Sequence, residues 1–105
     1  MEYYSIRERI AWLLIENTGR LFSVDDIIAI LGLDLKPREV YEHLRHIAKT
    51  IRRQSNNKLE LVMEPPKCMK CGYVFKDLDR PRKPSKCPRC RSTWISQPRF
   101  TVIER

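Results

Sequence analysis

Apolar side chains recur every three to four residues through the first half of the chain, the spacing of helices that bury one face. The first such stretch covers residues 5–17. A second follows Ser23, a favourable N-cap residue, and a third begins at Pro37, which suits the first position of a helix. Gly19 and Gly32 stand where the first two helices would end. The pattern therefore predicts three helices within the first half of the chain.

The third predicted helix, residues 37–53, separates its apolar and charged side chains. At about 100° per residue, one stripe holds Val40, Leu44, Ile47 and Ile51. Charged residues, mainly basic, gather on another arc: Arg38, Glu42, Arg45, Lys49, Arg52 and Arg53. Such arcs are often plain solvated faces. The basic bias and the preceding tight turn instead favour a helix-turn-helix with an outward-facing binding surface.

Two stretches have the composition of strands, at residues 59–63 and 98–103. The first lacks an obvious partner nearby in the sequence, and a lone strand is not stable by itself. We therefore expect residues 98–105 to return and pair with 59–63, so that everything between them is inserted into one hairpin. The alternative is a C-terminal strand that docks only on the cysteine-containing segment.

Four cysteines form the pattern C-x2-C, fifteen residues, C-x2-C, at Cys68, Cys71, Cys87 and Cys90. Two tight turns that each present two thiolates provide the four soft ligands of a tetrahedral zinc site. Disulfides are the alternative, but they need an oxidising compartment, and no export signal opens the sequence. Four protein ligands leave no open position, so we expect one structural Zn²⁺. Iron can occupy the same four-sulfur site during expression, but as an artefact and not as the native metal.

The charge of the chain lies almost entirely beside these cysteines. The 105 residues contain 21 Lys and Arg against 13 Asp and Glu, for a net charge of +8. Residues 1–66 are neutral, so residues 67–105 carry the whole excess. A basic module of this kind indicates a polyanionic partner, most often nucleic acid. No stretch approaches the ~20 apolar residues of a membrane span, which argues against a membrane protein.

Several segments resemble known families. Residues 19–28 (GRLFSVDDII) are similar to the strand-to-second-helix entry of prokaryotic winged-helix regulators, and residues 40–47 (VYEHLRHI) to their recognition helix. Residues 71–75 (CGYVF) and 87–90 (CPRC) resemble rubredoxin knuckles and, more broadly, zinc ribbons. The whole arrangement resembles small archaeal winged-helix-turn-helix proteins with a zinc ribbon, regarded as transcriptional regulators. The resemblance implies cytoplasmic DNA binding; rubredoxin-like electron transfer is disfavoured by the short loop between the cysteine pairs.

The sequence thus predicts an α+β protein with a winged helix-turn-helix over residues 1–66. A rubredoxin-like zinc ribbon over residues 67–97 would be inserted in the wing, and residues 98–105 would form the returning strand. The sequence has no Gly-rich phosphate loop, no metalloprotease helix and no credible Ser/His/Asp catalytic triad. All four cysteines are expected to bind the metal, so none is left as a nucleophile. We therefore expect a non-catalytic regulator with no small-molecule substrate.

Double-stranded DNA is the expected partner, with the third helix in the major groove. Arg38 and Arg45 are the expected base readers, with Glu42 as a possible cytosine contact. The remaining bases would contact the DNA backbone or, from the ribbon, also the minor groove: Lys49, Arg52, Arg53, Lys58, Arg80, Arg82, Lys83 and Lys86.

Two alternatives remain open. One is a protein-interaction module of the transcription machinery, because both predicted folds also serve that role. The other is RNA binding, if Tyr73, Phe75 and Trp94 are exposed for base stacking. We expect these three aromatics to form the small core around the metal instead, and we expect Tyr3 and Trp12, near the N-terminus, to be core residues as well.

Overall fold

The computed structural model describes residues 5–78 and 80–105 and contains three helices and three strands within them. The elements in chain order are α1 (Ile6–Glu16), β1 (Phe22–Ser23), α2 (Val24–Leu31), α3 (Pro37–Gln54), β2 (Leu59–Glu64) and β3 (Arg99–Glu104). The predicted α+β class is confirmed. In the described residues, no helix is both long enough and apolar enough to cross a membrane.

Capping residues determine where α2 begins and ends, whereas α1 ends before the expected stop at Gly19. Ser23 caps α2: its Oγ accepts a hydrogen bond from the backbone N–H of Asp26 at 3.1 Å, and the Asp26 carboxylate accepts from the Ser23 N–H at 3.0 Å. Gly32 ends α2 in the left-handed conformation, with a φ of 62°. The α1 helix ends at Glu16, three residues earlier than Gly19. Gly19 instead lies in the following turn, where its N–H donates to the Val102 carbonyl at 2.9 Å.

The three strands form one antiparallel sheet in the order β1-β3-β2. Every residue of β2 has a partner on β3, from Leu59 opposite Glu104 to Glu64 opposite Arg99. The pairing expected between residues 59–63 and the C-terminal strand is therefore present. Residues 65–98 lie between the two strands, so the cysteine-containing segment is an insertion within this hairpin.

The helices and one face of the sheet enclose a single apolar core. The stripe predicted on α3 is buried throughout, at Val40, Leu44, Ile47 and Ile51. The central strand β3 contributes Phe100 and Val102, which are almost completely buried although they follow the insertion. The last strand in the sequence is thus required to close the core of the first half.

The prediction that Trp12 is a core residue is wrong. Trp12 is 55% exposed. The buried side of α1 is formed by Ile10, Leu13 and Leu14, and a rotation of about 100° per residue places Trp12 on the opposite side. The other aromatic expected in the core near the N-terminus, Tyr3, lies outside the described residues.

Candidate metal centre and basic surface

The four cysteines lie together at the ends of two turns with the same hydrogen-bond pattern. In the first turn, Gly72 N–H donates to the Cys68 carbonyl at 2.9 Å, and Cys68 N–H donates to the Tyr73 carbonyl at 2.8 Å. In the second, Arg91 N–H donates to the Cys87 carbonyl at 2.9 Å, and Cys87 N–H donates to the Ser92 carbonyl at 2.9 Å. Each turn presents two thiols to a common point.

The sulfur positions fit one metal ion. All four Sγ atoms lie within 4.8 Å of one another, with Cys68 and Cys90 separated by 3.5 Å and Cys71 and Cys87 by 3.6 Å. A tetrahedral Zn²⁺ with bonds of about 2.3 Å requires sulfurs about 3.8 Å apart. These separations are far above the length of a disulfide bond, and all four cysteines are free. Small adjustments would bring the four thiolates onto zinc.

Hydrogen bonds from backbone N–H groups favour the thiolate forms of Cys68, Cys71 and Cys87, the forms that bind a metal cation. The Cys71 N–H lowers the pKa of Cys68 to about 6, against the opposing effect of burial. Burial opposes ionisation of Cys87 as well, but the Cys90 N–H and other donors outweigh it and lower its pKa. The Tyr73 N–H favours the Cys71 thiolate, yet burial and hydrogen bonds with the neighbouring thiols raise the pKa of Cys71 to about 11. Zinc binding would displace the protons that remain.

The second turn contains a strained residue. Gly72, after the first cysteine pair, has a φ of 82°, and Arg91, at the matching place after the second pair, has a φ of 63°. An L-residue in this left-handed region costs about 1–2 kcal/mol. Arg91, at the place where the first turn has Gly72, therefore leaves the turn geometry unchanged but adds strain.

A small apolar core covers the metal site. It consists of Cys68, Phe75, Cys87 and Ile95, with Tyr73 and Leu78 packed against it. Tyr73 and Phe75 pack edge to face, with ring centroids 5.0 Å apart. The expectation that they form this core is confirmed.

Trp94, which was expected in the same core, is instead 65% exposed. The reason is strand alternation: Cys68 and Ile95 form an antiparallel bridge and both face the metal core, so the next pair along, Met69 and Trp94, faces outward. Met69 is 44% exposed, and its N–H donates to the Trp94 carbonyl at 2.9 Å. This exposed Met69–Trp94 pair was not anticipated from sequence, where an aromatic beside a metal site usually indicates core.

All eleven residues named from sequence as DNA contacts are exposed. On α3 they lie on the side away from the core, and Glu42 contacts two neighbours: its carboxylate lies 3.8 Å from Arg45 Nη1 and 3.4 Å from His46 Nε2. Lys58 follows the turn after α3, and the other four belong to the basic loop of the cysteine segment, residues 80–86. The structure therefore leaves the predicted surface open in both places.

Fold and site together define a small α+β protein whose sheet carries an inserted rubredoxin-like zinc ribbon. A family model described as "PF0610-like, N-terminal" matches residues 5–59, and one described as "PF0610 rubredoxin-like zinc beta-ribbon domain" matches residues 65–105. The chain belongs to this PF0610-like family. Its four cysteines form one structural zinc site.

A solved structure supports the same assignment. The chain is similar to protein PF0610 from Pyrococcus furiosus, known from a solution NMR structure, with 34% sequence identity and a TM-score of 0.72. The match covers 92% of this chain and 87% of that protein. Comparison with functionally curated proteins found no significant match.

Proposed function

We propose that this protein is a non-catalytic, DNA-binding transcriptional regulator of the winged-helix type. The support from the fold is the element order, helix, strand, helix, helix, strand, strand, combined with the sheet order β1-β3-β2. This is the arrangement of winged-helix domains, in which β2 and β3 form the wing. The inserted zinc ribbon then occupies the place of the wing tip, and α3 is the recognition helix.

The observation that carries the proposal is the outward face of α3. Arg38, Arg45, Lys49 and Arg52 fall within about 60° of one another around the helix axis, given 100° per residue. This stripe lies opposite the buried apolar stripe, so it projects from the body of the protein along several turns of helix. A helix of about 10–12 Å diameter with a basic outward face fits the width of the major groove.

Within this stripe, Glu42 has two roles. It pairs with Arg45 at 3.8 Å in the free protein, where both side chains are about half exposed and the pair contributes little stability. In a complex, Arg45 can turn to guanine O6 and N7, and the Glu42 carboxylate can accept from a cytosine amino group. Arg53 and Lys58, at the end of α3 and after it, are placed for phosphates.

The ribbon extends the proposed contact. Its exposed bases include Arg80, Arg82, Lys83 and Lys86, and zinc with four thiolates removes only two charges from its excess. These residues can reach the DNA backbone or minor groove that flanks the site of α3. A duplex DNA partner and reduced, metal-binding cysteines both agree with a cytoplasmic location.

The test is selection of the zinc-loaded protein against a random duplex pool at about 0.15 M salt, where unspecific contacts weaken. An enriched motif is expected. Reversing both Arg45 and Lys49 to Glu should weaken binding to that motif by at least about 100-fold while zinc content and helix content stay unchanged. The matched control reverses Arg82 and Lys83, which should weaken binding less and alter sequence preference little. If the control variant loses binding and the α3 variant retains it, α3 is not the reader.

A second candidate function is favoured by two exposed apolar side chains outside the ribbon. Trp12 on α1 and Ile30 on α2 are 55% and 52% exposed. Apolar side chains of this size on helix surfaces suit a protein partner of the transcription machinery. In that case the selection yields no motif, and substitution of Trp12 and Ile30 by Ser abolishes binding to the partner.

A further inference from the structure

We propose that the outward face of the zinc ribbon, centred on Trp94 and Met69, is a base-stacking site for single-stranded nucleic acid. This goes beyond the duplex-reading function proposed for α3, because it uses a different surface and a different form of the ligand. The ligand class is an unpaired nucleotide strand, with an aromatic base against Trp94 and phosphates toward exposed basic residues of the same two segments, Lys67, Lys70 and Arg91.

The geometry of the platform comes from the strand register. Cys68 and Ile95 face the metal core, so their neighbours Met69 and Trp94 lie directly opposite one another on the solvent side. The backbone under this pair is held by the Met69 N–H to Trp94 carbonyl bond of 2.9 Å and by the Trp94 N–H to Ser92 Oγ bond of 3.1 Å. A tetrahedral metal site directly behind it adds rigidity. The indole is therefore presented on a fixed support, which lowers the entropic cost of stacking a base.

Charge indicates the kind of ligand. The ribbon, residues 67–97, contains nine Lys and Arg against two Asp. Exposed Lys67, Lys70 and Arg91 lie within three residues of Met69 or Trp94 along the two segments that form the platform. The stretches 67–71 and 91–97 contain no acidic residue. A polyanion with flat aromatic faces is the partner that matches both the charge and the indole.

A groove beside Met69 is lined by two carboxylates, Asp26 and Glu64, and each accepts hydrogen bonds from within the chain. Asp26 accepts from the Ser23 N–H at 3.0 Å. Glu64 forms a two-bond pair with Arg99, at 2.8 and 3.0 Å. The Arg99 guanidinium therefore offsets the charge of Glu64 near the platform, whereas Asp26 is bonded to a neutral amide and keeps its full charge.

The small size of the apolar area favours a nucleotide over a protein surface. Among the described residues of the ribbon, Met69 and Trp94 are the two large apolar side chains that are exposed. A specific protein interface buries about 800 Å² on each partner. One indole and one thioether provide much less than that, but they are sufficient for one or two stacked bases.

The experiment uses the full-length, zinc-loaded protein with 12-nucleotide strands of deoxyuridine and of uridine, which differ only in the sugar. In a Trp12→Phe background Trp94 is the only tryptophan, so its fluorescence reports directly on stacking. We expect saturable quenching by at least one strand. Binding by the Trp94 variants is read from the fluorescence anisotropy of an end-labelled strand, which needs no tryptophan. Trp94→Ala should weaken that strand's binding by about 5- to 150-fold, the effect of losing one stacked base, and Trp94→Phe should restore part of it. Tighter binding of the deoxy strand identifies single-stranded DNA as the ligand, and tighter binding of the ribo strand identifies RNA.

Trp12→Ala is the matched control, because Trp12 is similarly exposed but lies on α1, and it should leave strand binding unchanged. Reversing Arg45 and Lys49 should weaken duplex binding by at least about 100-fold without altering the quenching of Trp94. A failure of the α3 proposal can therefore be distinguished from a failure of this one. Equal losses in Trp94→Ala and Trp12→Ala, or unchanged Trp94 fluorescence at saturation, would overturn the proposal. Equal quenching by polyglutamate would also overturn it, in favour of an acidic protein partner.

Discussion

At the scale of single residues, the residue that follows each cysteine pair determines how strained the zinc-binding turn is. Gly72 and Arg91 occupy equivalent left-handed positions and make equivalent hydrogen bonds to Cys68 and Cys87. Glycine reaches this conformation without a steric penalty, whereas arginine does not. The two turns of the ribbon therefore differ in strain although their geometry is the same.

This difference predicts opposite effects for two substitutions. Gly72→Ala should lower the free energy of unfolding by about 1 kcal/mol, because the added Cβ meets nothing within 4 Å and only the backbone conformation is penalised. Arg91→Gly should raise it by about 0.5 kcal/mol, as relief of strain is partly offset by the greater flexibility of glycine when unfolded. Urea unfolding of the two zinc-loaded variants measures both. If Arg91→Gly also lowered the free energy of unfolding, the side chain of Arg91 would have a structural role of its own.

At the scale of elements, α1 and α3 are joined by a polar contact between residues far apart in sequence. The Arg7 Nε–H donates to His43 Nδ1 at 3.1 Å, which requires an unprotonated Nδ1. Burial, and then the positive charges of Arg7 and His46, lower the pKa of His43 below its ordinary value of 6.5, although Glu39 and Glu42 oppose this. The contact between the two helices therefore depends on a neutral imidazole.

The folded chain should consequently lose stability in mild acid. Since the pKa of His43 is lower in the folded state, the unfolded chain takes up the proton first as the pH falls. The contribution of His43 is fully present above about pH 6.5 and is lost as the pH falls toward the lower folded value. Melting temperatures at pH 7.5 and 5.5 measure the effect. His43→Asn keeps an acceptor for Arg7 but does not titrate. Its melting temperature should therefore fall less between pH 7.5 and 5.5 than that of the wild type.

The control for this prediction is His46→Asn, an exposed position on the same helix. It should retain most of the wild-type loss, because burial and Arg7, the larger causes of the lowered His43 pKa, stay in place. Any release of zinc in acid affects all three proteins alike, and the comparison between variants removes it. An equal loss in wild type and His43→Asn would show that the Arg7–His43 contact is not the origin of the acid sensitivity.

At the scale of the whole molecule, the ribbon and the helical core are joined through the β2–β3 hairpin. The core needs β3, whose Phe100 and Val102 are almost completely buried, and β3 is reached only through residues 65–98. A folded, metal-held ribbon keeps the ends of the two strands together. Without the metal, the same segment becomes a long flexible loop that the hairpin must close.

Removing zinc should therefore destabilise both parts, but to different degrees. Chelation, or Cys68→Ser, should unfold the ribbon, because its apolar core is too small without the metal. Closing a flexible loop of roughly 34 residues should also cost the helical core about 3 kcal/mol. Far-UV circular dichroism should show helices that persist at low temperature and melt on the order of 10 °C lower. A ribbon whose amide NMR signals stay dispersed in chelator would contradict the structural role of zinc.

Much of this molecule follows from the sequence alone, because the signals concerned are local. The buried stripe of α3, the Ser23 cap and the Gly32 stop depend on residues three or four positions apart, whose relative placement the helix itself determines. The C-x2-C spacing is equally local, since one tight turn suffices to bring two thiols together. The return of β3 to β2 was predictable because an unpaired apolar strand needs a partner.

Only the tertiary structure decided which large apolar side chains remain on the surface. Trp12 and Trp94 are large and apolar, yet both are exposed. Their sequence neighbours Leu13 and Ile95 lie on the buried side of the same segments, so the two tryptophans face solvent. The contact of Arg7 with His43 spans 36 positions and arises from how α1 crosses α3, which no local pattern encodes. Local spacing determined the elements and the metal ligands, whereas packing between distant segments determined the surfaces available for binding.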